Sequence, residues 1–161
     1  MGLENLHNII SYDPKTGYFH WASARRKIKI GDRAGTIGNR GYRVICINRR
    51  DYLEHRLAWF YMTGKWPAAQ IDHLNMVRDD NRFCNLREAT NSQNGQNRKV
   101  QSNSKSGLRG VSWSKASKKW NARIKVNGTY LHLGLFDCPA SARIAYVIAA
   151  DKYHGEFARV E

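Results

Sequence analysis

Asp72 and His73 stand side by side, with Asn85 and Asn94 downstream. These are residue types that phosphodiester hydrolysis uses. The reaction needs a base for water, a cation to stabilise the pentavalent transition state, and a group to bind or protonate the leaving oxygen. A histidine serves as base near neutral pH. An aspartate carboxylate and an asparagine side-chain oxygen are hard ligands that suit Mg²⁺. Adjacent residues on a strand point to opposite faces, so Asp72 and His73 can serve different partners only where their strand ends or twists.

The elements that must position these residues form an α+β pattern. Residues 8–53 read as short strands and turns. Tyr12-Asp13-Pro14-Lys15-Thr16-Gly17-Tyr18-Phe19 is a turn entering an aromatic strand, and Tyr42–Ile47 is a β-branched strand. Leu53, Leu57, Phe60 and Tyr61 recur at helical spacing, and Gly64 and Pro67 close that helix. Residues 98–107 are small, polar and basic with one apolar side chain, and read as a flexible linker. Beyond them, residues 110–113, 119–126 and 130–134 read as three strands, with Asn127-Gly128 as a hairpin turn. Pro139 opens a helix with Ala142, Ala145, Tyr146 and Ala149 on one face, and Gly155 follows its end. The expected domains are therefore 1–97, a linker at 98–107, and 108–161.

The 161 residues carry a formal net charge of +14. The segment 1–97 holds fifteen Lys/Arg against nine Asp/Glu, and 98–161 holds twelve against four. A surplus spread over both halves points to a polyanionic partner, nucleic acid before membrane. No Lys-rich amphipathic helix or membrane-length apolar run supports a lipid surface. Nothing calls for an obligate protein partner. Cys46, Cys84 and Cys138 are far apart, so a thiolate zinc site is not expected, and an odd count fits a reducing cytoplasm.

Ile71-Asp72-His73, Asp80-Asn81-Arg82, Asn85-Leu86-Arg87, Thr90–Asn94 and Asn97-Arg98, preceded by His55-Arg56-Leu57-Ala58-Trp59 and Gly64, resemble the HNH or ββα-metal nuclease motif of phage and intron-encoded homing endonucleases. The resemblance spans roughly residues 10–98. It implies a hairpin and a helix around one divalent cation, Mg²⁺ or Mn²⁺. Asp72 and Asn94 then stand as metal ligands, His73 as the general base, and Asn85 as the residue that orients His73 through a hydrogen bond. Asn94 stands where many members have His. Asn91 and Asn97, one helical turn away on either side, are its rivals. His55 is left outside the catalytic set, because burial or a structural hydrogen bond accounts for it equally well. Arg56 and Arg87 suit phosphate contacts or pairing with nearby acids.

Residues 108–160 resemble the plant APETALA/ethylene-response-factor DNA-binding domain, which also occurs fused to phage HNH nucleases. Arg109-Gly110-Val111, Trp120–Ile124, Leu133–Asp137, Ala142, Ala145-Tyr146, Ala149-Ala150, Gly155 and Ala158 carry the likeness. It implies a three-stranded sheet in the DNA major groove with a helix behind it. Arg109, Arg123, Lys125, Tyr130 and His132 occupy the DNA-facing positions. Arg123 replaces an acidic residue, and Ser112 and Ser114 replace arginines, so the recognised sequence does not carry over.

These readings imply a metal-dependent endonuclease on double-stranded DNA, in the bacterial cytoplasm if the chain is phage-encoded. A non-catalytic DNA-binding regulator that kept the fold is the alternative. An RNA nuclease is disfavoured, because A-form RNA hides its major groove.

Overall fold

The computed structural model describes residues 3–24, 27–96 and 104–158. They form a mixed α and β structure of small antiparallel sheets in two compact units, Met1–Ala89 and Thr90–Glu161.

In the first unit, α1 (Leu3–His7) leads into the hairpin β1 (Ile10–Asp13) and β2 (Tyr18–Trp21). The Asp13 carboxylate accepts from Lys15 N at 2.9 Å and Thr16 Oγ1 at 2.8 Å, which builds the turn expected there. Gly17 closes it at φ 76°, where a Cβ would collide with the backbone of Asn81 and Arg82. β3 (Thr36–Ile37), β4 (Arg43–Ile47) and β5 (Arg50–Leu53) form a three-stranded sheet in that order. Ile45 and Ile47 alternate with exposed Cys46, so one face of β4 joins the core.

Helix α2 (Glu54–Thr63) buries Leu57, Ala58 and Phe60 against that core, with Leu6, Ile10 and Phe19. Gly64 ends it in the left-handed region at φ 71°, its N–H bonding Phe60 O at 2.9 Å. β6 (Gln70–His73) and β7 (Leu86–Ala89) then pair antiparallel, with a short 3₁₀ turn at Phe83–Asn85 before β7.

The second unit begins with α3 (Asn91–Gln96). Thr90 and Gln93 cap it reciprocally: Thr90 N donates to Gln93 Oε1 at 2.9 Å and Gln93 N to Thr90 Oγ1 at 3.3 Å. β8 (Val111–Ser114), β9 (Lys119–Val126) and β10 (Thr129–Phe136) form an antiparallel sheet with β9 in the centre. Asn127 (φ 47°) and Gly128 (φ 85°) make the β9–β10 turn, since both central residues of such a hairpin turn need positive φ. Pro139 opens α4 (Pro139–His154), as expected. Ala122 and Ile124 of β9 pack against Ala142, Tyr146, Ala149 and Ala150 of α4 and its neighbours. Gly110 is obligatory, because a Cβ there would overlap the Tyr146 ring.

The division differs from the one expected at residue 97, for α3 groups with the C-terminal sheet and helix. The reason is local. Arg109 Nη2 donates to Gly95 O at 2.9 Å while its Nε donates to Tyr146 Oη at 2.9 Å, tying α3 to the sheet and α4. Of the expected linker 98–107, residues 98–103 lie outside the described residues. The remainder is a bonded turn, in which Gly107 N meets Ser104 O at 3.1 Å and Ser106 Oγ meets Val111 O at 2.7 Å.

Candidate active site

The site grows from the end of β6. Asp72 and His73 are its last residues, and both are buried. The strand stops there, and Met76, at φ 59°, turns the chain away. This meets the condition under which adjacent strand residues can serve different partners.

Asp72 lies across the ladder from Arg87. Arg87 donates to Asp72 Oδ2 from Nε at 3.1 Å and from Nη2 at 2.9 Å. Of the two roles open to Arg87, pairing with an acid is the one seen. Arg56 is also engaged: its Nη1 and Nη2 donate to Ala69 O and Pro67 O, both at 3.1 Å, and hold the segment entering β6.

A group that bonds the His73 ring is Asn81. Its Oδ1 lies 3.1 Å from His73 Nε2. The expected hydrogen bond from Asn85 is not made. The Asn85 side chain is spent on the loop instead: Nδ2 donates to Asp80 O at 2.8 Å and Asn75 Oδ1 at 3.0 Å, and Oδ1 accepts from Asn75 N at 3.0 Å. With Leu74 N on Asn85 O at 2.9 Å, Asn85 fixes the loop in which Asn81 sits and acts on His73 only at one remove.

Asn81 is 1% exposed and is gripped from three sides. Its Nδ2 donates to Glu54 Oε2 at 3.1 Å, and its backbone carbonyl accepts from Tyr12 Oη at 2.7 Å. The backbone of Gly17 closes against its own. Glu54, at the start of α2, is met by Arg43 Nε at 3.0 Å on Oε1 and 3.2 Å on Oε2. Burial pushes the Glu54 carboxyl above its ordinary value, and the Arg43 guanidinium opposes that rise. Burial likewise lowers His73, against the Asn81 hydrogen bond and the charges of Asp72, Asp80 and Asp79. A histidine so placed is neutral, the form a base requires.

His55 comes into this neighbourhood. Its ring centroid is 5.1 Å from that of His73, edge-on, and Tyr42 packs at 5.2 Å from His55 and 5.9 Å from His73. Its Nδ1 is buried and has no hydrogen-bond partner among the described residues. Burial first, and the neighbouring His73 second, lower His55 to about 3. Asp80, bonded by Arg82 and Asn75, is held down at about 2.

Asn94 lies half-buried on α3 in the second unit, its N–H on Thr90 O at 2.9 Å. Asn91 is exposed on the same helix, and Asn97 lies outside the described residues. Among the described residues no group of three His, Cys, Asp or Glu is placed to hold a metal.

The second unit presents a cationic face. On β9 and β10, Arg123 faces His132 and Lys125 faces Tyr130 across the ladder, all four exposed and opposite to the face that carries Ala122 and Ile124. Arg123 lies 4.7 Å and Lys125 5.6 Å from the Tyr130 ring centre. Arg109, Arg123, Lys125 and Tyr130 line one groove of about 630 Å³, which His132 does not border. Trp113 is exposed and meets half-buried Trp120 edge-on at 5.2 Å.

Residues 52–96 match the HNH endonuclease family. The stretch begins on β5 and contains α2, both strands of the Asp72–His73 hairpin and α3. The chain is also 29% identical to Protein 3.8 of Escherichia phage T7 over 106 residues, which are 65% of this chain and 87% of that protein. Among solved structures it is similar to one described as DNA binding and cleavage by the HNH homing endonuclease I-HmuI. That likeness has a TM-score of 0.47 and 20% identity, over 100% of this chain and 91% of the other.

Proposed function

We propose that this chain is a metal-dependent HNH-type endonuclease that hydrolyses phosphodiester bonds in double-stranded DNA, with the C-terminal sheet as a major-groove anchor. One coincidence carries the reading: the segment that matches the HNH endonuclease family contains a neutral, buried His73 beside a buried carboxylate at the end of a hairpin.

His73 takes the proton of the attacking water, and Asn81 holds the ring for it. Asp72 and Asn94 are the residues that would hold one divalent cation. Their donor chemistry fits, since a carboxylate and an amide oxygen are hard ligands and two protein ligands leave positions for phosphate and water. Arg87 shares the Asp72 carboxylate and sets the orientation of that ligand. The cation would supply charge stabilisation to the pentavalent phosphorane-like state. Arg123, Lys125 and Tyr130, with Arg109 at the groove wall and His132 beyond it, contribute affinity through phosphate and base contacts. A resemblance to the APETALA/ethylene-response-factor domain supports that assignment, as does the observed order of three strands and a helix.

The test is incubation of supercoiled plasmid with the protein and Mg²⁺ between about pH 7 and 9, where His73 is neutral. The expected product is nicked circle, and EDTA abolishes it without abolishing binding. Retained binding with no nicking under any divalent cation would make the chain a DNA-binding regulator instead.

A further inference from the structure

Four buried polar side chains run in series from the β3–β4–β5 sheet to His73. Arg43 donates to Glu54, Asn81 Nδ2 donates to Glu54, and Asn81 Oδ1 faces His73 Nε2. None of the four is more than 8% exposed. They belong to β4, the first turn of α2, the 74–85 loop and the end of β6, so no one element sets their order.

Their hydrogen-bond polarity is determined from one end. A guanidinium has donors only and does not lose its proton in proteins. Arg43, with its Nη2 also anchored on Ala34 O at 3.3 Å and Gly35 O at 2.9 Å, cannot swing away from Glu54. Both Glu54 oxygens accept from Arg43 Nε, at 3.0 and 3.2 Å, which sets that carboxyl as the acceptor of the series. Asn81 must therefore turn its NH₂ toward Glu54 and its oxygen toward His73. A flipped amide would set two acceptors against each other at Glu54 in a place water does not reach. The Asn81 backbone cannot shift to relieve that clash, because Tyr12 and Gly17 hold it. An oxygen facing His73 Nε2 requires a proton on that nitrogen.

We infer that Asn81, oriented by the buried Arg43–Glu54 pair, is a positioning residue that holds His73 as the Nε2–H tautomer, with the lone pair on Nδ1. Its link to cleavage rests on the proposed nuclease reading, in which Nδ1 is then the atom that receives the water proton. Neither Arg43 nor Glu54 touches the His73 ring in this chain of contacts; each acts through Asn81.

Ring-nitrogen NMR reads the tautomer without DNA, metal or turnover. Long-range proton–nitrogen correlation on the full chain, labelled with ¹⁵N-histidine, separates the six histidines. His73→Gln identifies the one of interest. At a pH where His73 is neutral, Nε2 should give a pyrrole-type and Nδ1 a pyridine-type shift. The opposite pattern, or two tautomers in comparable amounts, overturns the inference. Asn81→Leu removes the acceptor and should mix the tautomers, slowing cleavage by about tenfold or more with duplex affinity unchanged. Asn81→Asp keeps an oxygen on Nε2 and should keep the tautomer, with one proton taken up between the new carboxyl and Glu54. A pure Nε2–H signal in folded Asn81→Leu would show that another group sets it and would overturn the role of Asn81. Should both variants fail to fold, the wild-type spectrum still decides the tautomer. A correct tautomer in a protein that never nicks plasmid overturns the nuclease reading and leaves the positioning one standing.

Discussion

The polar groups of the two units are handled in opposite ways. Around His73 they are buried, paired in series and fixed to about the precision of a hydrogen bond. On the β9–β10 face they are exposed cations gathered about one tyrosine, with few fixed partners. Burial suits a group whose orientation matters, because low dielectric and crowding make a wrong arrangement costly. Exposure suits groups that must meet a hydrated polyanion, whose attraction depends on salt and tolerates mobile side chains. On the proposed reading, the contrast separates a region shaped for chemistry from one shaped for affinity.

The contrast can be broken most sharply at His73. His73→Ala should lower the nicking rate by about two to four orders of magnitude and leave duplex affinity nearly unchanged. Undiminished cleavage would remove His73 from the chemistry. Next comes the buried series itself. Glu54→Ala leaves Arg43 charged and unpaired in the interior, and should cost about 3–5 kcal/mol of stability in chemical denaturation. A loss below about 1 kcal/mol would mean that Arg43 finds water and that the series is less closed than its burial indicates.

Arg123→Ala tests the other side of the comparison. Duplex binding should weaken by about 1–3 kcal/mol if the guanidinium reads a base. If it meets phosphate, the salt slope of log K should flatten by about 0.9 per lost contact. Thermal stability should stay within about 0.5 kcal/mol, as for a surface substitution. An unchanged affinity and slope would take this face out of the DNA interface.

At neutral pH the smallest effect expected is at His55. Its folded-state pKa, about 3, lies below the ordinary 6.5, so the unfolded chain binds the extra proton first. The sign follows: stability is unaffected by this group above about pH 6.5 and falls as pH drops from there toward 3. His55→Gln should flatten that part of the stability–pH curve relative to wild type. Parallel curves would show that His55 is solvated in solution.

Much of the secondary structure was legible because local signals dictated it. Asn127-Gly128 has room for a two-residue hairpin turn, Pro139 suits a first helical position, and Gly64 takes the left-handed cap. Asp72 and His73 were visible as types in order. Their helpers were not. Glu54 lies 27 residues from Asn81 and 11 from Arg43, and no periodicity reports which buried carboxylate will face which amide. Asn81 stood in plain view within Asp80-Asn81-Arg82, yet spacing alone does not distinguish it from Asn85 as the partner of His73. The Thr90–Gln93 cap was a readable signal that would have fixed where α3 begins.

The bond from Arg109 to Gly95 matters to anyone who wishes to build chimeras from this chain. A recombination point placed in the segment 98–107 would look safe by composition, yet it would leave α3 with one donor protein and its arginine clamp with the other. The seam that keeps this bond within one donor runs between Ala89 and Thr90, ahead of the helix cap. Grafting a foreign module behind α3 therefore means supplying the newcomer with an arginine at the place of Arg109.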